Sequence, residues 1–217
     1  MEKVDERRVS KSEKRIDDII LERINTYKKE YRSYAIKTGK ILHLDGDRRY
    51  SEKSAKYYKK MGLDAVVKNI PENKQPIMVR QLLDKYNPDI LVITGHDAML
   101  KKGDNYSNLY NYRNSKNFIS TVKEARKWAK SSNKLVIFAG ACQSFFEALI
   151  EAGADFASSP GRILIDFIDP LIVAEKVATT DRTKFVSSNE IAKEIKEGNK
   201  GIGGVGAMGK KTRVIIM

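Results

Sequence analysis

Two nearly unbroken apolar runs, ILVIT (residues 90–94) and LVIFA (residues 135–139), constrain the fold of this chain more than any other feature. A short apolar run without alternation is the pattern of a strand buried on both faces, as in the parallel sheet of an α/β domain. Each run ends in a glycine followed by a reactive side chain, in GHD for the first and GACQS for the second. His96 is one of two histidines and Cys142 is the only cysteine. Open α/β sheets bind their ligands outside the carboxyl ends of the strands. The two runs therefore deliver an imidazole and a thiol to the edge where chemistry is done.

The rest of the chain alternates in the same way. Strands are expected over Lys40–Leu44, Ala65–Val67, Ile90–Thr94, Lys134–Ala139 and Phe156–Ser158, with a last one over Arg213–Ile216. Helices are expected over Arg49–Met61, Gln75–Tyr86, Ser115–Lys130, Ser144–Ala152, Asp169–Ala178 and Asn189–Glu197. Asn87-Pro88-Asp89 is a stop signal, and Gly153 ends the helix before it. This alternation gives an α/β class with a mainly parallel sheet. Ahead of it, residues 10–34 form a charged helical segment in which Ile16, Ile19, Ile20, Ile24 and Tyr27 recur at mostly three- and four-residue steps. The segment Lys101–Asn114 is long for a strand-to-helix connection, and long loops at that edge tend to be functional.

Composition removes several function classes. A length of 217 residues with 41% hydrophobic residues suits one domain with added segments. No apolar stretch reaches the roughly 20 residues of a membrane span, so no membrane partner is expected. The start, MEKVDERRVSKSEKR, has no apolar core of a secretory leader. One cysteine excludes an internal disulfide and fits a reducing cytosol. The paired Cys and Cys/His spacings of zinc sites are missing, so neither metal nor cofactor is expected. The net charge of +13 has two readings, recruitment of nucleic acid or an acidic protein, and simple solvation of helix faces. The basic residues are spread along the chain without interleaved aromatics, which favours solvation and argues against nucleic acid.

The chemistry these residues support is nucleophilic. Cys142 would attack as a thiolate, with His96 as general base and then as acid toward the leaving amine. A helix starting at Ser144 would favour the thiolate. The backbone N–H of Cys142, with one from the Asp97–Ala98 turn, would hold the oxyanion. A lone cysteine is often only a small buried apolar residue, but here a histidine stands at the matching strand end. His43 lies inside the first strand and reads as a satisfied core residue. Asn114 and Ser115 read first as the cap of the following helix and second as part of the cleft. Ser158-Ser159-Pro160-Gly161, at another strand end, could line a substrate groove. The glycines between Gly201 and Gly209 follow no strand and lack the Gly-Lys-Ser/Thr ending of a phosphate loop, so they read as a loop.

Chain order sorts cysteine hydrolases on such sheets. Glutamine amidotransferase-like domains place the nucleophile before the histidine, whereas here the histidine comes first. The caspase–clostripain–gingipain type has this order, and Ala141-Cys142 matches it. His96-Asp97 departs from that group's His-Gly and leaves the second oxyanion donor open.

The blocks DILVITGHDAMLK, YRNSKNFISTVKEAR, LVIFAGACQSFFEALIEAGADFASSP and the KGIGG tail resemble the YabG family of sporulation-specific cysteine proteases, from about Lys40 to the end. The resemblance implies a caspase-like three-layer α/β fold over residues 38–217, preceded by a charged helical segment or linker over residues 1–37. Relatives carry a small β-rich region upstream, so this chain reads as the protease part. The resemblance also implies a cofactor-free endopeptidase with Cys142 as nucleophile and His96 as base. It would act in the cytoplasm of sporulating bacteria, with spore-coat association, on spore-coat and germination-related proteins. Cleavage would follow basic residues, chiefly arginine, with self-processing at pairs such as Arg7-Arg8 or Arg48-Arg49. A buried guanidinium needs a carboxylate partner. Asp45 is the first choice for the pocket that receives it and Asp47 the second, although both suit a turn or a helix cap. Asp97 and Asp166 are weaker choices, and Asp97 could instead orient the imidazole. Two rival readings keep the same residues: a cysteine amidohydrolase or glutaminase on the same sheet, and a non-enzymatic basic binding module.

Overall fold

The computed structural model describes residues 14–15, 17–25, 35–100, 106–130 and 134–214. In chain order its strands are β1 (Ala35–Lys37), β2 (Ile41–Asp45), β3 (Ala65–Asn69), β4 (Ile90–Thr94), β5 (Val136–Ala139), β6 (Phe156–Ser158), β7 (Phe185–Val186), β8 (Ile202–Gly204), β9 (Ala207–Met208) and β10 (Thr212–Val214). The helices are α1 (Arg48–Lys60), α2 (Gln75–Tyr86), α3 (Ser115–Ala129), α4 (Phe146–Glu151), α5 (Asp169–Thr179) and α6 (Ser188–Ala192). Six strands form the central sheet in the order β3-β2-β4-β5-β6-β8, parallel except for β8.

Strand alternation divides the core into two halves. Ile90 and Val92 of β4 join Ile41, Val136 and Phe138 against Tyr57 of α1 and Leu171 and Val177 of α5. Leu91 and Ile93 join Leu42, Leu44 and Ile137 against Leu83 of α2 and Phe118 and Val122 of α3. Both faces of β2 and β4 are therefore covered, and every residue of the two strands is buried. This is the mainly parallel α/β sheet that the strand–helix alternation called for, in the three-layer arrangement that the family resemblance implied.

The charged N-terminal segment docks on the α1/α5 side. Residues 14–15 and 17–25 are helical, and Ile20 is buried in that half of the core. Arg23 Nε donates to both oxygens of Glu175, at 2.7 and 2.6 Å, and Tyr57 Oη donates to the same carboxylate at 2.6 Å. Arg23 Nη2 reaches Glu194 at 2.7 Å. Burying the Glu175 carboxylate is tolerable because the guanidinium and the phenol satisfy it together. Ile16, Tyr27 and the Arg7-Arg8 pair lie outside the described residues.

Three expectations need correction. A strand precedes Thr38: β1 pairs antiparallel with β10, and a partner at the far end of the chain leaves no local pattern. The glycine-rich stretch is not only a loop, because it holds β8 and β9. A Cβ on Gly204 would fall 2.2 Å from the Asp155 carbonyl oxygen, so close backbone packing, not strand propensity, selects glycine there. The helix foreseen over residues 189–197 ends at Ala192 and gives way to turns.

Candidate active site

The backbone ladder ends just short of the reactive residues. Ile93 of β4 pairs with Ala139 of β5, and the last bond joining these strands is Gly140 N–H to the Ile93 carbonyl at 3.0 Å. His96 and Cys142 each lie three residues beyond that pair. They occupy equivalent positions past the carboxyl ends of neighbouring parallel strands, whose axes run about 4.8 Å apart.

Side chains take over where the ladder stops. The His96 N–H donates to Glu72 Oε1 at 2.7 Å, and its carbonyl accepts from Asn114 Nδ2 at 2.7 Å. Glu72, from the β3–α2 connection, lies over Gly46 and Gly95, where a Cβ would fall 2.2 and 2.4 Å from its carboxylate. The His96 ring, 55% exposed, has Nε2 2.9 Å from Asp47 Oδ2. The edge of the Tyr50 ring meets it at 6.0 Å, and Tyr50 in turn stacks on Phe167 at 5.8 Å. Asp47 also caps α1, with Oδ1 accepting from Tyr50 N–H at 3.0 Å. The hydrogen bond from His96 holds the Asp47 carboxyl below its usual range.

Cys142 sits in a four-residue turn. Ser144 N–H donates to the Ala141 carbonyl at 3.4 Å, and Gln143 takes a φ of 56°. The Cys142 Sγ lies 3.7 Å from the Ile165 carbonyl oxygen, in the segment after β6. Among the described residues no hydrogen bond joins Cys142 to His96. The expected helix start at Ser144 is also corrected, because α4 begins at Phe146 and the thiol precedes it by a full turn of chain. Ser144 is drawn away by its own bonds: its hydroxyl accepts from Ala141 N–H at 2.9 Å and donates to Asp97 Oδ2 at 2.9 Å.

Asp97 is the hub of this edge. Its Oδ1 accepts from Ala98 N–H at 2.9 Å and from Asn114 N–H at 2.8 Å. Its Oδ2 accepts from Ser115 Oγ at 2.5 Å as well as from Ser144. Burial raises this carboxyl above its usual range, and the four donors offset only part of that rise. The N–H groups of Asp97 and Cys142 meet no protein acceptor among the described residues. Asn114 holds the N-cap position of α3 as expected but makes no side-chain cap, because its Nδ2 donates to the His96 carbonyl and its Oδ1 accepts from Asn117 Nδ2 at 3.0 Å.

Asp45 and His43 belong to a second, buried network. Asp45 Oδ1 accepts from Asp47 N–H at 2.7 Å, and Oδ2 accepts from Thr94 Oγ1 at 2.7 Å. With Thr94 donating to Asp45, its oxygen takes the proton of His43 Nε2 at 2.7 Å, and His43 Nδ1 accepts from Tyr58 Oη at 3.2 Å. His43 is thus the satisfied core residue its place in the strand suggested. Asp166 lies in the loop before α5, where its N–H donates to Asp169 Oδ2 at 3.1 Å. Ser158 and Ser159 are fully buried and bond to Ala141 and Ile163, so they face the interior.

Sequence reasoning missed Glu72 and Ser144. The glycines Gly46 and Gly95, each one residue past a strand, were the available sign that some side chain lies across both strand ends. Among the described residues no cluster of His, Cys, Asp and Glu is set to hold a metal ion, and no helix is long and apolar enough to cross a membrane.

Comparison with known proteins places the chain in a peptidase family. The family described as YabG peptidase U57 matches residues 1–215. Over 171 residues the chain is 46% identical to the sporulation-specific protease YabG of Bacillus subtilis (strain 168), a match spanning 79% of this chain and 59% of that protein. The chain thus covers under two thirds of the length of this curated relative. No solved structure matches it. A family match over nearly every residue, with a close relative across most of the chain, means that this protein belongs to the YabG peptidase U57 family.

Proposed function

We propose that this chain is a cysteine endopeptidase of sporulating cells that cleaves after basic residues, chiefly arginine, through a Cys142/His96 dyad. One observation carries the reading: the imidazole and the thiol stand at matching positions, three residues past a paired residue, on neighbouring strands of a peptidase-family chain.

The chemistry follows from that placement. Cys142 Sγ attacks the scissile carbonyl carbon while His96 accepts the thiol proton. With Nε2 held by Asp47, proton exchange falls to Nδ1. Asp47 fixes the orientation of the ring through this hydrogen bond. The oxyanion that develops on the substrate takes the uncommitted N–H groups of Cys142 and Asp97. His96 then gives its proton to the leaving amine, and the thioester left on Cys142 is hydrolysed by water that His96 activates. Before substrate arrives the thiol rests on the Ile165 carbonyl, and catalytic hydrogen bonds of this kind commonly tighten only in the complex.

The preference for basic residues is supported by the acidic edge around His96. Of the two carboxylates, Asp47 is the one a substrate guanidinium can reach, its side chain being 28% exposed against 7% for Asp45. The relative's role in sporulation supports spore-coat and germination-related proteins as substrates.

The test is release of a fluorophore from a short peptide ending in arginine, with this protein and Cys142→Ala compared after treatment with reductant. Turnover by the parent alone is expected, falling when lysine replaces arginine and vanishing with glutamine. Equal rates for parent and variant would remove Cys142 from the reaction. Turnover of simple amides with indifference to arginyl peptides would point to an amidohydrolase instead.

A further inference from the structure

We infer that the buried Asp97 carboxylate is a positioning residue, which sets the spacing between the His96 loop and the Cys142 loop through the hydroxyls of Ser144 and Ser115. The inference rests on the dyad proposed above and adds to it a residue that touches neither substrate nor reacting atoms through its side chain.

The backbone stops holding the two loops together before either reactive residue is reached. Past Gly140 N–H to the Ile93 carbonyl, no backbone bond among the described residues joins the segment after β4 to the segment after β5. The next link is Asp97 Oδ2 to Ser144 Oγ, between the residue after the base and the residue two after the nucleophile. The same oxygen takes the hydroxyl proton of Ser115, whose oxygen accepts from Phe145 N–H at 2.8 Å. Ser144 Oγ in turn accepts from Ala141 N–H, the residue before Cys142. Both sides of the nucleophile's turn are therefore referred to one carboxylate. Asp97 is 6% exposed, and Ser115 and Ser144 are fully buried, so water cannot stand in for these bonds.

Polarity explains why the residue is a carboxylate. All four groups facing it are donors, and only an ionised carboxylate offers acceptors alone. An asparagine would turn two N–H bonds toward hydroxyls whose own protons already need an acceptor. Glycine, the usual residue after the histidine in caspase-like enzymes, cannot make the link at all. On this account the His-Asp departure in the sequence is a change in how the two loops are fastened together.

The test compares the full chain with Asp97→Asn, Ser144→Ala, the double variant and His96→Ala. Three quantities are read: kcat and KM on the arginyl peptide, the pH profile of Cys142 alkylation by iodoacetamide, and the melting temperature. Asp97→Asn is expected to lower kcat about 30-fold with KM within about twofold, and to move the alkylation profile toward that of His96→Ala. Ser144→Ala is expected to lower kcat about 10-fold, and the double variant to be no worse than Asp97→Asn, because both cut one link. If Asp97→Asn fails to fold, Ser144→Ala alone decides by the same three readings. A lowered melting temperature with unchanged kcat and an unchanged alkylation profile would overturn the inference while the dyad stands. An alkylation profile that ignores His96→Ala would instead overturn the dyad, and this inference with it.

Discussion

The two histidines of this protein sit on neighbouring strands and have opposite fates. His43 lies mid-strand in β2, paired across the ladder with Val92, and is 1% exposed. Burial drives its imidazole down to about 3, so it stays neutral, held between Tyr58 and Thr94. His96 lies two residues past the end of β4, with more than half its side chain in solvent and a carboxylate on Nε2. A few residues along a strand thus decide whether an imidazole is locked in the core or open to solvent. The networks are also linked, since Asp45 bonds both to Thr94, which touches His43, and to the N–H of Asp47, which touches His96.

Removing each ring in turn gives the largest expected effects. His96→Ala is expected to lower peptidase turnover by roughly 10²- to 10⁴-fold, with the melting temperature almost unchanged. His43→Leu should do the reverse. It leaves the Tyr58 and Thr94 hydroxyls short of a partner and costs about 2–3 kcal/mol of stability at pH 7 by denaturant titration. If the losses were exchanged, the assignment of roles would be wrong.

Acid adds a second contrast. The unfolded chain binds a proton at His43 near pH 6.5, while the folded chain does not until about 3. Stability from this residue is therefore present above pH 6.5 and drains as pH falls toward 3, by up to about 1.4 kcal/mol per unit. His43→Leu should lack this component, so the gap between parent and variant narrows in acid. A gap that stays constant from pH 7 to pH 4.5 would show that the ring is not held neutral.

Asp47→Asn gives a smaller effect that separates its two possible duties. Loss of the carboxylate should lower kcat about 10-fold, because the ring loses the partner that fixes its orientation. Asparagine still caps α1, so stability should change by no more than about 0.5 kcal/mol. A rise in KM confined to arginyl and lysyl peptides would mark Asp47 as a substrate contact too. The smallest effect belongs to the aromatic wall. Tyr50→Leu removes an edge contact worth about 0.5–1.5 kcal/mol and should lower kcat a few-fold. Full activity would mean that Glu72, Asn114 and Asp47 suffice to hold His96.

Local pattern determined much of this molecule. The runs at residues 90–94 and 135–139 fixed two central strands, because apolar residues without alternation are stable only with both faces covered. Gln75–Tyr86, β4 and β6 appear with the boundaries that pattern and stop signals imply. The same runs placed His96 and Cys142 at one edge, since residues that follow parallel strands emerge on the same side of a sheet.

Tertiary structure decided what surrounds them. Asp45 and Asp47 are two residues apart and alike in sequence, yet one is buried against Thr94 and the other reaches His96, because the strand ends between them. Glu72, the Asn114-Ser115 pair and Ser144 meet the site from three connections, and nothing local in the sequence marks such meetings. β1 and β10 found each other across the length of the chain for the same reason. Periodicity reports which face of an element is buried, a property of neighbours in sequence. Hydrogen bonds between loops depend on where folded elements bring distant residues together, and only the assembled sheet sets those distances.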